Sequence, residues 1–167
     1  MGMNSNQIEE LIKKYFDYMM DLNKSIRTLK KNIKSETEVL NDLLKEDKEY
    51  LDIITSINTG KGHYHDISML PTEIEATING GRKFTKEQLE NLKHNYELAV
   101  EADRKLKERY EELSSTAVER ATNIKEHKKS IANNKRKLTR RQKEYDSNFT
   151  KVKKLDKKLE KLPKIPR

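Results

Sequence analysis

The side chains best suited to metal chemistry lie in one short segment, His63-Tyr64-His65-Asp66. Two imidazoles and a carboxylate are groups that zinc accepts as ligands. A closed zinc site takes four ligands from elements that converge, but the chain has no cysteine and the next histidine is His94. We therefore predict an exposed polar loop here, with no metal site and no bound cofactor.

A second segment, Thr59-Gly60-Lys61-Gly62-His63, has the lysine and glycines of a phosphate-binding loop. That loop also needs a glycine five residues before Gly60, where Thr55 stands, and a serine or threonine after the lysine, where Gly62 stands. No strand is predicted before it. The nucleotide-binding interpretation is therefore rejected.

Acid–base catalysis would need two carboxyl groups held in a concave and partly dry site. Asp47 and Asp103 lie inside the predicted helical seam, where no pocket for a substrate exists. We expect them to form ion pairs with neighbouring lysines or arginines such as Arg104. The sequence predicts no catalytic residues and no enzymatic activity.

Positive charge is concentrated in the last quarter of the chain. Residues 128–167 carry 16 Lys and Arg against 4 Asp and Glu, whereas residues 1–127 carry 20 against 24. Such a basic segment can contact phosphates or an acidic protein surface. The candidate contacts are Lys128, Lys129, Lys135, Arg136, Lys137, Arg140, Arg141 and Lys143.

The elements that carry these residues are indicated by two seven-residue repeats. Apolar residues recur at alternating steps of four and three from Ile8 to Ile57, and again from Leu89 to Leu162. A repeat sustained over this length is typical of a coiled coil. The fold class we predict is all-α: a long antiparallel coiled-coil helical hairpin with a small tip subdomain and an overhanging basic C-terminal helix.

The predicted domain organisation follows from the repeats and the helix signals. The first helix covers 6–58, the tip insertion 59–84, the second helix 85–162 with its basic arm from about 128, and the tail 163–167. A capping box at the start of the second helix and a proline at its end support these limits.

The fold of the tip insertion is left open between two alternatives. Residues 71–81 are compatible with a short helix capped by Thr72, or with a β-hairpin that turns at Asn79-Gly80-Gly81. In either case we expect the tip to bury four apolar side chains, those of Ile67, Leu70, Ile78 and Phe84.

Folding the two helices back on each other predicts a register. It places Tyr50 against Tyr96 and Ile8 near Leu138. In this register Glu36 faces an apolar partner, and Arg120 extends its guanidinium out of the seam to water. About six turns of the second helix then have no partner within the hairpin.

The unpartnered turns continue the apolar stripe, so we expect them to bind something. The predicted partner-binding residues are Tyr145, Val152, Leu155, Leu159 and Leu162. A homodimer would bring two highly positive arms together, so an acidic protein partner is favoured over self-association.

Together these features predict a non-enzymatic coiled-coil adaptor or scaffold that docks partners through its tip and its basic arm. The alternative is a nucleic-acid-associated protein that binds phosphates through residues 128–161. No apolar run is long enough for stable membrane insertion, which favours the cytoplasm. The 27 lysines against 9 arginines indicate a low-GC bacterium or its phage, and in the second case a virion component.

Overall fold

The computed structural model describes residues 2–163, and these form four α-helices. They are α1 (Ser5–Thr59), α2 (His63–Asn79), α3 (Lys86–Ser115) and α4 (Ala117–Lys161). Within the described residues there is no strand, so the predicted all-α class is confirmed.

The chain divides into two compact units. Unit 1 comprises Met1–Leu40 and Glu126–Arg167, and unit 2 comprises Asn41–Lys125. The finer expectation, one coiled-coil hairpin with a tip subdomain, stays a prediction. Of the predicted tail 163–167, all but Pro163 lies outside the described residues.

The helix starts follow side-chain caps. At α3 the Thr85 hydroxyl accepts a hydrogen bond from the Gln88 backbone N–H, and the Gln88 side chain accepts one from the Thr85 N–H. This is the capping box that the sequence predicts. Asn4 and Gln7 form the same reciprocal pair at the start of α1, so this helix begins slightly earlier than residue 6.

The tip insertion is helical, and the β-hairpin alternative is wrong. Gly60 and Gly62 adopt positive φ angles of 66° and 96°, which L side chains rarely adopt, and so end the regular helix of α1. The buried Ser56 hydroxyl then donates to the Lys61 carbonyl and accepts from the His65 N–H, at 2.7 and 2.9 Å. These bonds stabilise the first turn of α2, which therefore begins at His63, well before the predicted cap at Thr72.

Helix α2 packs along α3, so one face of α2 is covered by a helix. Ile67, Ile78 and Phe84 are half-buried, as expected. Leu70 is 43% exposed, which contradicts the prediction that it is buried. It lies one residue before Pro71, a half-buried residue of the packed face, and so points to the outer side of α2.

Unit 2 is held together by a small apolar cluster. Ile53 of α1 and Leu106 and Leu113 of α3 are buried in it, and Tyr50 and Ile67 are among the partly buried side chains that pack around them. The chain of α3 and α4 runs antiparallel to α1 in this unit, because Tyr50 packs against Tyr110, whereas the earlier Asp47 pairs with the later Arg120.

Unit 1 pairs the first part of α1 with α4. Tyr18 donates a hydrogen bond to Glu144, and Ser130 donates one to Glu36, so the two helices run antiparallel. The apolar seam between them follows the predicted repeat. Its buried members are Ile8, Met19, Leu22, Ile26, Ile131, Val152 and Leu155.

The predicted register is wrong. The Tyr50 ring packs against Tyr110, with ring centroids 5.9 Å apart, and not against Tyr96. The difference is two heptads. A shift by whole heptads leaves every apolar residue in the seam, so the repeat alone does not distinguish the two arrangements. Helix α2 decides between them in unit 2, because its 17 residues extend the outgoing limb before the chain turns back.

The prediction of an overhanging arm is also wrong, because in unit 1 the first turns of α1 pack beside the last turns of α4. The Lys151 ammonium lies 5.7 Å from the centre of the Tyr15 ring. Further along, Ile8 shares an apolar cavity with Leu155 and Leu162. The stripe that continues past residue 138 is therefore covered by this chain's own first helix.

The single helix predicted over 85–162 is divided into two helices in the structure, α3 and α4. The helical hydrogen bonding is interrupted at Thr116, between α3 and α4, where the residue adopts φ −103° and ψ 3°. Ser114, Ser115 and Thr116 are poor helix formers, because their hydroxyls bond to nearby carbonyls: Thr116 donates to the Glu112 carbonyl at 3.2 Å.

The register of unit 2 can be tested with cysteine pairs, because the chain has no cysteine of its own. We expect a short thiol crosslinker to join Tyr50→Cys and Tyr110→Cys efficiently, since these side chains are in contact. The control pair, Tyr50→Cys with Tyr96→Cys, should remain uncrosslinked on denaturing gels. Efficient crosslinking of the control pair alone would restore the shifted register.

Candidate functional site

The five residues predicted to bind a partner lie within unit 1. Val152 and Leu155 are buried, with 2% and 8% of their surface exposed, and Tyr145, Leu159 and Leu162 are half-buried. The prediction of partner binding depended on an arm without a partner helix. Since α4 is paired with α1, the prediction loses its basis.

The basic residues of α4, in contrast, are open to solvent. All eight predicted contacts are exposed. Within the described chain, ion pairing involves one of them, Arg141, whose guanidinium lies 3.8 Å from Glu144. The other seven ammonium and guanidinium groups remain available to an external anion. These seven are Lys128, Lys129, Lys135, Arg136, Lys137, Arg140 and Lys143.

Helix α1 brings a second set of cations to the same part of unit 1. The hydrogen bonds Tyr18–Glu144 and Ser130–Glu36 bracket a stretch in which the two helices lie side by side. Between these bonds the two helices carry eleven cations and a single acid, Asp21. We call these cations the basic belt: Lys24, Arg27, Lys30, Lys31, Lys34, Lys135, Arg136, Lys137, Arg140, Arg141 and Lys143.

The α1 half of the belt was missed by the sequence reasoning, although a signal existed. Residues 22–35 contain no acid, and neither do residues 127–143. The net charge of the N-terminal region conceals this, because acids are frequent elsewhere in it. The correct register was needed to see that the two acid-free stretches are opposite each other.

One side of the belt is free of carboxylates. The heptad positions of Tyr18, Ser130 and Glu144 lie on one flank of the seam. Their hydrogen bonds hold the carboxylates of Glu36 and Glu144 on this flank. Lys30 and Lys135 occupy the equivalent positions on the opposite flank of their helices. The hydrogen bond to Glu144 also raises the pKa of the Tyr18 phenol, as expected when a hydroxyl donates to a carboxylate.

The belt also lacks large apolar side chains at its surface. The exposed large hydrophobic residues of unit 1 lie to either side of the belt cations, and among the described residues they are Met3, Phe16, Tyr18, Met20, Val39 and Phe149. Residues 21–38 and 126–148 contribute none among the described residues. Neither helix has an aromatic residue within the belt. The surface therefore offers charge and polar groups but no stacking platform.

Unit 2 contains a different polar cluster, centred on Arg120. This side chain is 2% exposed, so the prediction that it extends to water is wrong. Its guanidinium donates to the Leu113 carbonyl at 3.1 Å and to the Thr116 hydroxyl at 3.0 Å. It also lies 3.4 Å from the Asp47 carboxylate and 5.3 Å from the centre of the Tyr50 ring.

The Arg120 cluster stabilises the break between α3 and α4. An interrupted helix leaves carbonyls without intrahelical donors, and the guanidinium supplies one to Leu113. A cavity of about 250 Å³ adjoins the cluster. Glu46, Glu112 and Glu119 line it together with two arginines, so its charge does not favour an anion. We assign this cluster a structural role.

A second arginine crosses unit 2 nearby. Arg109 forms two hydrogen bonds to the Glu49 carboxylate, at 3.0 and 2.9 Å. This contact, opposed by partial burial, lowers the pKa of Glu49. The two-fold contact fixes the position of α3 along α1, because it holds a planar guanidinium against a planar carboxylate.

The other residues considered for chemistry are structural or exposed. Asp47 pairs with Arg120, and Asp103 pairs with Lys107 at 2.8 Å instead of the adjacent arginine. His63 is exposed and contacts the Tyr64 ring edge-on. Among residues 2–163 no three ligand-type side chains converge. The predicted absence of a metal or cofactor stays a prediction.

Comparison with protein-family models, with curated proteins and with solved structures found no match to this chain. In the part of the chain that the structure describes, none of the helices has an apolar stretch that could cross a bilayer.

The role assigned to Arg120 predicts a large loss of stability on truncation. Arg120→Ala should lower the free energy of unfolding by about 2–4 kcal/mol, since it leaves a cavity and unpaired polar groups. The control is Arg104→Ala, which removes an arginine with two ion pairs that is half-exposed, and should have little effect. Urea denaturation followed by circular dichroism measures both. Equal losses of stability for the two variants would contradict the structural role of Arg120.

Proposed function

We propose that this protein is a non-enzymatic coiled-coil scaffold. In this proposal the basic belt of unit 1 holds a polyanionic partner, and an apolar surface of unit 2 holds a second one. The observation that carries the proposal is the division of surface chemistry between the units. Unit 1 has 23 Lys and Arg against 11 Asp and Glu, and unit 2 has 13 against 17.

The apolar surface of unit 2 lies on α2 and α3. Met69 and Leu70 of α2, and Leu98 of α3, are exposed although both helices also have a covered face. Leu98 is 56% exposed. Exposed apolar side chains on neighbouring helices are typical of protein–protein contacts, because burying them against a partner is favourable.

The non-enzymatic part of the proposal is supported by how the seam carboxylates are used. Asp47 and Asp103 each have a cationic partner within unit 2. A general acid or base would need access to a substrate, and these contacts already use the groups in stabilising the fold. Location in the cytoplasm, or in a virion if the gene is a phage's, remains a prediction.

The scaffold differs in one respect from the sequence prediction. Docking through the apolar stripe of the arm is replaced by docking through exposed charge, since the stripe packs on α1. An acidic protein partner and a nucleic acid both have the charge that the belt requires. A homodimer through the belt would bring like charges together and is disfavoured.

The proposal is tested by site-specific crosslinking, for which the cysteine-free chain is suited. Leu98→Cys and Arg136→Cys would each carry a photoreactive group, and Lys13→Cys, which is exposed and outside both surfaces, serves as the control. In an extract of the host, we expect the first two to capture different partners by mass spectrometry. Capture no greater than that of the control at both positions would contradict the scaffold.

A further inference from the structure

We propose that the basic belt binds the phosphate backbone of a nucleic-acid duplex, without reading its sequence. This inference rests on the proposed function in one respect, that the belt is a docking surface for a polyanion. It goes further by naming that polyanion.

The charge density of the belt fits the density of a duplex. The belt covers 13 residues of α4, from Ile131 to Lys143, which span about 20 Å of helix. Over the same length a DNA duplex carries about 12 phosphate charges, one per about 1.7 Å of its axis. The eleven cations of the belt are close in number to the phosphates on this length of duplex, and the cations on one side of the belt can contact the phosphates that face them.

The geometry of unit 1 presents these cations on a stiff support. The belt is held at both ends by side-chain hydrogen bonds between α1 and α4, at 2.8 Å for Tyr18–Glu144 and 3.0 Å for Ser130–Glu36. Lysine and arginine side chains adjust to individual phosphates without any change in the helices.

The lack of apolar groups favours a nucleic acid over a protein. The core of a protein–protein contact is apolar and is enriched in aromatic residues. One exposed large hydrophobic residue, Met20, lies between the two bracketing hydrogen bonds, at the edge of the belt before its first cation, and residues 21–38 and 126–148 contribute none among those described. Protein–DNA contacts are more polar and much more positive, which is the composition seen here.

The lack of aromatic groups favours a duplex over a single strand. Proteins that hold single strands without sequence preference stack the bases on aromatic side chains. The belt has no aromatic residue on either helix. It is also a surface of two packed helices with no helix set apart to enter a groove, so base edges are not reached and contacts to phosphates remain.

The carboxylate-free flank identifies the residues that make the contact. On this flank the seam is bordered by Lys30 of α1 and Lys135 of α4, and Arg27 and Lys34 lie one turn to either side on α1. Glu36 and Glu144 are held on the other flank by their hydrogen bonds. A phosphate backbone would therefore approach over Lys30 and Lys135, where no acid repels it.

The test is fluorescence anisotropy with the full chain and a labelled 30-base-pair DNA duplex. We expect binding at low salt and a steep loss as salt increases. If about five phosphates are neutralised, the association constant falls several-hundred-fold between about 50 and 200 mM salt. Two duplexes of unrelated sequence should bind equally, and an RNA duplex shows which nucleic acid is preferred.

The variant that tests the flank replaces four of its cations: Arg27→Gln, Lys30→Gln, Lys34→Gln and Lys135→Gln. We expect the slope of log K against log salt to become shallower by about three to four, close to one unit for each lost contact. The control removes the same charge outside the belt: Lys13→Gln, Lys14→Gln, Lys154→Gln and Lys157→Gln. It should change the slope by less than half as much. Circular dichroism verifies that both variants fold.

Polyglutamate, as a competitor, separates phosphate from carboxylate partners. Competition weaker than that of unlabelled duplex at equal charge supports the inference, and equal competition overturns it in favour of an acidic protein. Tighter binding of a single strand than of a duplex also overturns it. Equal salt slopes for the belt variant and the control variant would also overturn it, because binding would then depend on total charge and not on one surface. None of these outcomes affects the crosslinking at Leu98, which tests the scaffold separately.

Discussion

The pairing of polar residues within the apolar seam is the constraint on which the arrangement of the helices depends. Asp47 meets Arg120 in unit 2, and Glu36 accepts a hydrogen bond from Asn134 in unit 1. Apolar side chains repeat every seven residues and so accept any register that differs by whole heptads. A buried polar group without a partner costs about 1–3 kcal/mol, so matching polar with polar selects one register among them.

Arg120 connects this constraint to the local structure of the chain. Burying a guanidinium is costly unless its hydrogens are bonded, and a regular helix has few free acceptors. The break at Thr116 frees the Leu113 carbonyl, which accepts one of these hydrogens. The helix break and the buried arginine therefore stabilise each other. The adjoining ring of Tyr50 adds a favourable contact with the cation.

The surface of unit 1 depends on the same register. In the register that the heptads alone suggested, the acid-free part of α1 would face residues 111–124, which include Glu111, Glu112 and Glu119. In the structure it lies beside the acid-free part of α4, bracketed by the contacts of Glu36 and Glu144. A continuous basic surface thus arises from two helices, neither of which would form it alone. The apolar seam is thereby left to stabilise the fold, and the proposed docking would use charge alone.

The sequence by itself determined the helical class, the seam positions and the cap at Thr85, because these depend on local periodicity and on bonds between near neighbours. It also located the exposed cations of α4. Only the tertiary structure decided the register, the burial of Arg120 and the partner of the C-terminal stripe. These depend on which residues meet across a seam, and the seven-residue repeat is degenerate in that respect. The length of α2 and the matching of Asp47 with Arg120 remove the degeneracy, and both are properties of the folded chain.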